Sequence, residues 1–165
     1  MKKAMYVGSF DPVTSGHINI LVRASRLFDE VVVVVSANTA KKYWFSVDQR
    51  VDMIRTALED NGVRQVSVMA HDGLTVSLAE ELDISILIRG IRSIKDMEYE
   101  VDIATLNKIQ NNNIETVFLI SDEQYRSISS TMVKEIAYYN GKIDSLVPSN
   151  VAGALIDAVI KRRSS

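Results

Sequence analysis

The amino-acid sequence predicts an α/β fold in which one open sheet of five parallel strands is covered by helices on both faces. Short apolar runs alternate with segments of helical periodicity along the chain. Residues 31–35 are five consecutive valines, and such a run is typical of a strand buried on both faces. No shift in composition divides the 165 residues, so we expect a single domain.

The predicted strands are short apolar runs bounded by turn residues or polar residues. They cover residues 4–7, 31–35, 66–69, 84–88 and 116–120. The first ends at Gly8, and the fourth is followed by Arg89-Gly90-Ile91-Arg92. Because crossovers between parallel strands are right-handed, this order predicts a Rossmann-like sheet with helices on both sides.

The predicted helices follow apolar periodicity and capping residues. They cover residues 16–28, 46–58, 74–82, 97–110, 129–140 and 150–163. Ser46 and Gln49 form a capping box at the start of the second helix, and Ser129 and Ser130 can cap the fifth. The last two helices follow the final strand and form a C-terminal helical extension.

Composition and charge exclude several classes of function. A formal net charge of -2 argues against a general nucleic-acid binder. The absence of cysteine excludes disulfides, thiolate metal sites and a cysteine nucleophile. The sequence also lacks the histidine–carboxylate spacing of a protein-held metal site. With no apolar run near the ~18 residues of a membrane span and no signal peptide, we expect a cytoplasmic protein without a membrane partner.

The loop over residues 8–17 carries the first candidate site. In an open parallel sheet, ligands bind at the carboxyl ends of the strands, near a change in strand order. Gly16 and His17 stand at the start of the first predicted helix, where free N–H groups and the helix dipole favour an anion. The imidazole of His17 could donate to a phosphate oxygen. Capping or packing by His17 would explain the same pattern.

Three further segments offer groups that suit phosphates. Arg89 and Arg92 supply planar guanidinium groups after a buried strand. Lys41, in the loop over residues 37–45, supplies a mobile positive charge. Residues 127–131, Ser-Ile-Ser-Ser-Thr, bring hydroxyl and backbone N–H groups to a helix start. Exposed charges and ordinary helix caps are the plainer explanations of these segments.

Together these motifs resemble the nucleotidyltransferase superfamily that carries the T/H-x-G-H motif. Gly-Ser-Phe-Asp-Pro-x-Thr-x-Gly-His, Ile-Arg-Gly-Ile-Arg and Ile-Ser-Ser-Thr occur in that order and at matching separations over nearly the whole chain. Within the superfamily, the chain is most similar to the bacterial phosphopantetheine adenylyltransferase family. The resemblance implies transfer of AMP from ATP to 4′-phosphopantetheine, giving dephospho-coenzyme A and pyrophosphate in coenzyme A biosynthesis.

The resemblance also implies roles for individual residues. His17 would be the catalytic residue that stabilises the transition state. The acceptor would be bound by Ser9, Lys41, Thr75 and Arg89. ATP would be bound by Ser9, Phe10, His17, Gly90, Ile91, Arg92, Glu100, Tyr125, Arg126, Ser127, Ile128, Ser129, Ser130 and Thr131. Ser9 stands where many members have threonine, and Thr75 stands where a larger apolar residue is common.

The reaction implied by the resemblance needs little from the protein beyond positioning and charge. The acceptor phosphate is already an anion, so direct in-line transfer requires no strong general base. We expect His17 to donate to the α-phosphate while Lys41 and Arg89 hold the attacking phosphate. Mg²⁺ would be delivered with ATP, held mostly by phosphate oxygens and water.

The helix predicted over residues 97–110 has two apolar stripes. Met97, Val101 and Ala104 form one, and Tyr99, Ile103 and Leu106 form the other. A helix that covers a sheet in a monomer normally has one stripe. We therefore expect a subunit interface here, consistent with the homohexamer that the resemblance implies. Burial under the C-terminal helices is the alternative explanation.

Two other functions fit parts of the pattern. One is a different small-molecule nucleotidyltransferase of the same superfamily, acting on glycerol phosphate or a nicotinamide nucleotide. The other is a non-catalytic nucleotide-binding sensor on the same fold, because a fold does not determine a function. The complete loop with His17 favours an enzyme.

Overall fold

The computed structural model describes residues 1–165 and contains one sheet of five parallel strands. The strands are β1 (Lys3–Gly8), β2 (Glu30–Ser36), β3 (Val66–His71), β4 (Ile86–Ile91) and β5 (Glu115–Ile120). They stand in the order β3-β2-β1-β4-β5. The chain thus builds outwards from β1 to β3, returns to place β4 beside β1, and continues on the other side. The predicted α/β architecture is confirmed.

Six helices connect or follow the strands. They are α1 (Ser15–Leu27), α2 (Val47–Asp60), α3 (Thr75–Glu81), α4 (Ile94–Gln110), α5 (Ser130–Tyr138) and α6 (Ser149–Arg163). The predicted capping box is present, because the Ser46 side chain accepts from the Gln49 N–H and the Gln49 side chain accepts from the Ser46 N–H. Helix α4 begins three residues before its predicted start, where the Ser93 hydroxyl accepts from the N–H of Asp96. None of the helices has the length and apolarity needed to cross a membrane.

The valine run of β2 is buried on both faces, as the sequence predicts. Val31, Val33 and Val35 join a core with side chains of α1, α2, α5 and α6. Val32 and Val34 join a smaller core with α3. The alternating direction of side chains along a strand divides the run between the two layers.

The predicted end of the fourth strand is wrong by three residues. We expected the strand to end at residue 88, but β4 continues to Ile91. Arg89 and Gly90 pair with Phe118 and Leu119 of β5, so the ladder extends through the charged residue. A carboxylate on α4 partners Arg89 and allows it to stand inside a strand, as described below.

The apolar stripes of α4 are not covered by the C-terminal helices. Helix α6 packs against α2 and α5, whereas α4 packs against α3, β4 and β5. Tyr99, Val101 and Leu106 are each about half exposed, at 63%, 45% and 56%. The alternative of burial under the C-terminal helices is therefore wrong.

Candidate active site

A polar cavity of about 280 Å³ opens at the carboxyl ends of β1 and β4, where the strand order changes direction. This is the position at which open α/β sheets bind ligands. The structure brings ten of the predicted site residues to its wall. They are Ser9, Phe10, His17, Arg89, Gly90, Arg92, Glu100, Ile128, Ser129 and Ser130.

His17 both caps helix α1 and faces the cavity. Its Nδ1 accepts a hydrogen bond from the backbone N–H of Thr14 at 3.0 Å. The backbone N–H of His17 in turn donates to Oγ1 of Thr14 at 3.3 Å, which completes a capping box with histidine in the place of the usual Glu or Gln. Because Nδ1 is an acceptor, the ring proton of neutral His17 lies on Nε2. The capping explanation and the ligand-binding explanation are thus compatible.

The surroundings of His17 keep its imidazole neutral. Burial, followed by the positive charges of Arg92 and Arg89, lowers the pKa of His17 to about 4. The ring also packs edge-to-face on Phe10, with centroids 5.0 Å apart. A neutral imidazole with a fixed orientation presents one N–H, on Nε2, that can donate a hydrogen bond to an anion.

Arg89 is held in place by Glu100 and retains free donors. Its Nε and Nη2 donate to the two carboxylate oxygens of Glu100 at 2.6 and 2.7 Å. Its Nη1 donates to the carbonyl of Val7 at 2.6 Å. These bonds use three of the five guanidinium N–H groups, so two remain for a ligand. The paired carboxylate, together with its hydrogen bonds, also raises the pKa of Arg89 against the effect of burial.

Arg92 is oriented by a second carboxylate of α4. Its Nε lies 3.4 Å from Oδ2 of Asp96, and its backbone N–H donates to the same oxygen at 3.2 Å. Arg126 donates to the Arg92 carbonyl at 3.2 Å, which links this corner to the segment before α5. Asp96 and Glu100 are therefore both engaged with arginine.

Two helix N-termini face the cavity. Gly16 and His17 bring the first turn of α1, and Ser129 and Ser130 bring the start of α5. Ser129 caps α5 by accepting from the N–H of Met132 at 3.1 Å. The Ser130 hydroxyl donates to the carbonyl of Pro12 at 2.8 Å, which ties α5 to the first loop. Free N–H groups at two helix starts favour a polyanion between them.

A buried ion cluster fixes the loops beneath this site, and sequence reasoning missed it. Arg50 is 2% exposed and donates to the carbonyls of Ser9 and Ser36 at 2.7 and 2.9 Å. Asp11, 4% exposed, accepts from the N–H of Trp44 at 2.9 Å. It also accepts from the N–H of Phe45 at 3.0 Å and from Lys134 at 3.1 Å. Arg50 thus binds carbonyl groups at the carboxyl ends of β1 and β2. Asp11, in the loop after β1, binds N–H groups of the loop after β2.

Several predicted residues lie outside the cavity. Lys41 is exposed in its loop, and Thr75 begins α3. Ile91 is buried, and its carbonyl accepts from the N–H of Ser121, the residue directly after β5. Tyr125 and Ser127 line an adjacent apolar cavity of about 540 Å³, whose wall includes Ile128. Arg126 and Thr131 are exposed and line neither cavity.

Comparison with known proteins identifies the family of this chain. Residues 5–136 match the profile of a family described as cytidylyltransferase-like. The phosphopantetheine adenylyltransferase of Dictyoglomus turgidum is 46% identical over 157 residues, which cover 95% of this chain and 97% of that protein. The enzyme of the same name from Geobacter metallireducens is 44% identical over 98% of both chains.

The chain belongs to the phosphopantetheine adenylyltransferase family. The family resemblance inferred from the sequence motifs is confirmed.

Solved structures support the fold of this adenylyltransferase family member. A Vibrio parahaemolyticus protein described as a candidate nicotinate-nucleotide adenylyltransferase superposes with a TM-score of 0.72 at 17% identity, covering 96% of this chain and 95% of that chain. A bifunctional NMN adenylyltransferase/ADP ribose pyrophosphatase from Francisella tularensis gives a TM-score of 0.71 at 14% identity. That match covers 94% of this chain and 49% of the other. At such identities the likeness concerns the fold.

Sequence reasoning also missed Tyr6 and Asp96 in the wall of the adenylyltransferase cavity. Tyr6 lies within an apolar strand, where an aromatic residue is expected in the core. Asp96 forms its contact to Arg92 at the i, i+4 spacing of α4. Arg50 carried a usable signal, because it is a charged residue on the same face of α2 as Ile54 and Ala57, which is otherwise apolar.

Proposed function

We propose that this chain transfers AMP from ATP to 4′-phosphopantetheine and releases dephospho-coenzyme A and pyrophosphate. Family membership supports this reaction over that of another nucleotidyltransferase or of a sensor. One observation carries the chemistry. Neutral His17 has its Nδ1 occupied by Thr14, and its Nε2–H is available to a cavity that lies between two helix starts and two arginines.

The proposed step is a direct in-line displacement. An oxygen of the acceptor phosphate forms a bond to the α-phosphorus of ATP, and the bond from that phosphorus to the bridging oxygen breaks. Pyrophosphate leaves with the electron pair. The attacking phosphate is already anionic, so the chain's contribution is orientation and stabilisation of charge on the α-phosphate.

The residues around the cavity divide between the two substrates. His17 donates to the α-phosphate from Nε2, and the two free N–H groups of Arg89 bind the acceptor phosphate together with the Ser9 hydroxyl. ATP contacts residues of the cavity wall, namely the backbone of Phe10 with Gly90, Arg92, Glu100, Ile128, Ser129 and Ser130. Five further residues lie outside this cavity and are assigned to ATP on the family resemblance alone: Ile91, Tyr125, Arg126, Ser127 and Thr131. Glu100 additionally orients Arg89, because both of its carboxylate oxygens accept from that guanidinium.

Lys41 and Thr75 belong to the acceptor side in this proposal. Lys41 is exposed, and its flexible side chain allows the ammonium to approach a bound phosphate. Its loop is held at the far end, where the backbone of Trp44 and Phe45 donates to Asp11. Thr75, at the start of α3, contacts the acceptor through its backbone or hydroxyl.

We propose that Mg²⁺ arrives with ATP, held mostly by phosphate oxygens and water, and not by a set of protein ligands. Asp96 and Glu100, two carboxylates of the cavity wall, are each paired with an arginine. No group of three or more His, Cys, Asp or Glu side chains is placed to hold a metal. When bound to ATP, Mg²⁺ neutralises charge on the phosphate oxygens.

Two variants of His17 test this proposal, and the first is His17→Gln. Glutamine is a usual residue at this position of a capping box, so its carbonyl can accept from the Thr14 N–H and keep helix α1 capped. We expect kcat to fall by about 10²–10³, because the flexible amide does not hold its NH₂ donor in the fixed position of the imidazole Nε2–H. The KM for ATP and the melting temperature should change little.

The assay is pyrophosphate release from ATP with phosphopantetheine, glycerol phosphate and nicotinamide mononucleotide as acceptors. His17→Ala, which loses both the cap and the donor, serves as the comparison. A near-normal kcat in His17→Ala, which has no side-chain donor, would refute the role of His17. Turnover with none of the acceptors by the unaltered chain would favour the sensor.

We also propose that the chain forms a homohexamer through α4. Exposed apolar side chains on this helix include Ile94, Tyr99 and Ile109, at 82%, 63% and 70% exposure. Several large apolar side chains exposed on one helix favour an interaction surface. Light scattering should detect an assembly of six chains, and Tyr99→Glu should dissociate it. An 18.4 kDa monomer at micromolar concentration would contradict the proposal.

Because the reaction consumes ATP, we expect the cytoplasm as its compartment.

A further inference from the structure

The side chain of Tyr6 reaches the active-site cavity from strand β1 although the residue is only 6% exposed. Its ring packs edge-to-face on Phe10, with centroids 5.4 Å apart, and lies 6.5 Å from the ring of His17. The ring therefore belongs to the core, while the rest of the side chain contributes to the cavity wall.

The hydroxyl of Tyr6 lies beside the backbone of Gly90. A Cβ placed on Gly90 would be 3.8 Å from the Tyr6 oxygen. The charged groups that act on the hydroxyl are Arg89, Glu100 and Arg92, all in the cavity wall. Burial is the largest influence and raises the pKa of Tyr6 to about 12, so the phenol is neutral and carries a proton to donate.

No group of the protein accepts that proton. Each of the neighbouring polar side chains has another partner, since Glu100 receives Arg89 and Asp96 receives Arg92. Phenylalanine would fill the same space in the core, so the hydroxyl contributes to the cavity wall and not to a hydrogen bond within the protein. A bound ligand that accepts a hydrogen bond would supply the missing partner.

We propose that Tyr6 is a further substrate-contacting residue whose hydroxyl donates a hydrogen bond to the acceptor phosphate. Among the charged groups that act on the hydroxyl, Arg89 has the largest influence, and its two free N–H groups are the ones assigned to the acceptor phosphate. The hydroxyl and Arg89 thus share the acceptor side of the cavity wall. This inference rests on the proposed function and adds a neutral donor to the charged groups already assigned there.

Tyr6→Phe tests the inference because it removes one oxygen and retains the packing on Phe10 and His17. We expect kcat/KM for phosphopantetheine to fall by about ten- to a hundredfold, the usual effect of losing a hydrogen bond to a charged group. The KM for ATP should stay within about twofold. The melting temperature should be unchanged or higher, because no hydrogen bond within the protein is lost.

Tyr139→Phe is the matched control, since Tyr139 is 72% exposed and far from the cavity wall. Unchanged kinetics in Tyr6→Phe would overturn the inference, as would a lower melting temperature with normal kcat/KM. A loss expressed only in the KM for ATP would also overturn it. If the unaltered chain does not turn over phosphopantetheine, the proposed function fails instead, and that result is independent of either variant.

Discussion

Replacing Asp11 by asparagine should destabilise the fold although the two side chains have almost the same shape. Asp11 is 4% exposed and accepts from the N–H groups of Trp44 and Phe45 and from the ammonium of Lys134. Asparagine retains one oxygen for the backbone donors. Its amide NH₂ would then face Lys134, which also carries donors only.

The magnitude follows from the bond that is lost. A hydrogen bond to a charged group contributes about 1.5–3 kcal/mol, and here both partners are charged and mostly buried. We therefore expect the free energy of unfolding to fall by about 2–3 kcal/mol. For a chain of this length the melting temperature should fall by about 4–12 °C, at roughly 2–4 °C per kcal/mol.

Urea unfolding and calorimetry at equal protein concentration measure this effect. Asp52→Asn is the control, because Asp52 and Arg55 are 3.8 Å apart and both mostly exposed. Such a surface pair contributes about 0–1 kcal/mol. If Asp11→Asn lowers the free energy of unfolding no more than Asp52→Asn does, the buried contacts of Asp11 do not stabilise these loops.

Two other outcomes follow from the helix start at His17. Because the pKa of His17 is about 4 in the folded chain and near 6.5 when unfolded, the unfolded chain binds more protons between these values. Stability should therefore decrease by up to about 3 kcal/mol as the pH falls from 6.5 to 4, and His17→Gln should show a shallower slope in urea titrations. Gly16→Ala should raise or maintain the melting temperature, because a Cβ would lie at ordinary distances, 3.5 Å from Thr14 and 3.6 Å from Tyr125. It should weaken ATP binding in calorimetry, and unchanged affinity would contradict a close approach of ATP to this turn.

The elements that depend on local pattern could be predicted from the sequence. The valine run specified a strand between two layers, and Ser46 with Gln49 specified a helix start. Each signal lies within a few adjacent residues. The interactions behind it, side-chain alternation in a strand and capping hydrogen bonds at a helix start, involve only those residues. The same holds for the loop ending in His17, which the sequence placed at a helix start.

Features that depend on distant partners could not be predicted. Arg89 and Glu100 are eleven residues apart and meet only because α4 folds back along β4. When its partner is not known, a charged residue after an apolar run indicates that the strand has ended. The predicted end of β4 was therefore too early. The position of Lys41 outside the cavity likewise depends on how the loop after β2 is anchored on Asp11.

The hydrogen bond between Thr14 and His17 joins two properties that selection would otherwise act on separately. A mutation that removes the acceptor at Nδ1 also removes part of the cap of α1. A mutation that disrupts the cap leaves Nδ1 without its donor, so the ring proton can occupy Nδ1 in place of Nε2. Most replacements of His17 therefore disturb the helix start and the orientation of the ring donor together. Glutamine is the exception, because it can keep the cap and lose only the fixed position of the donor.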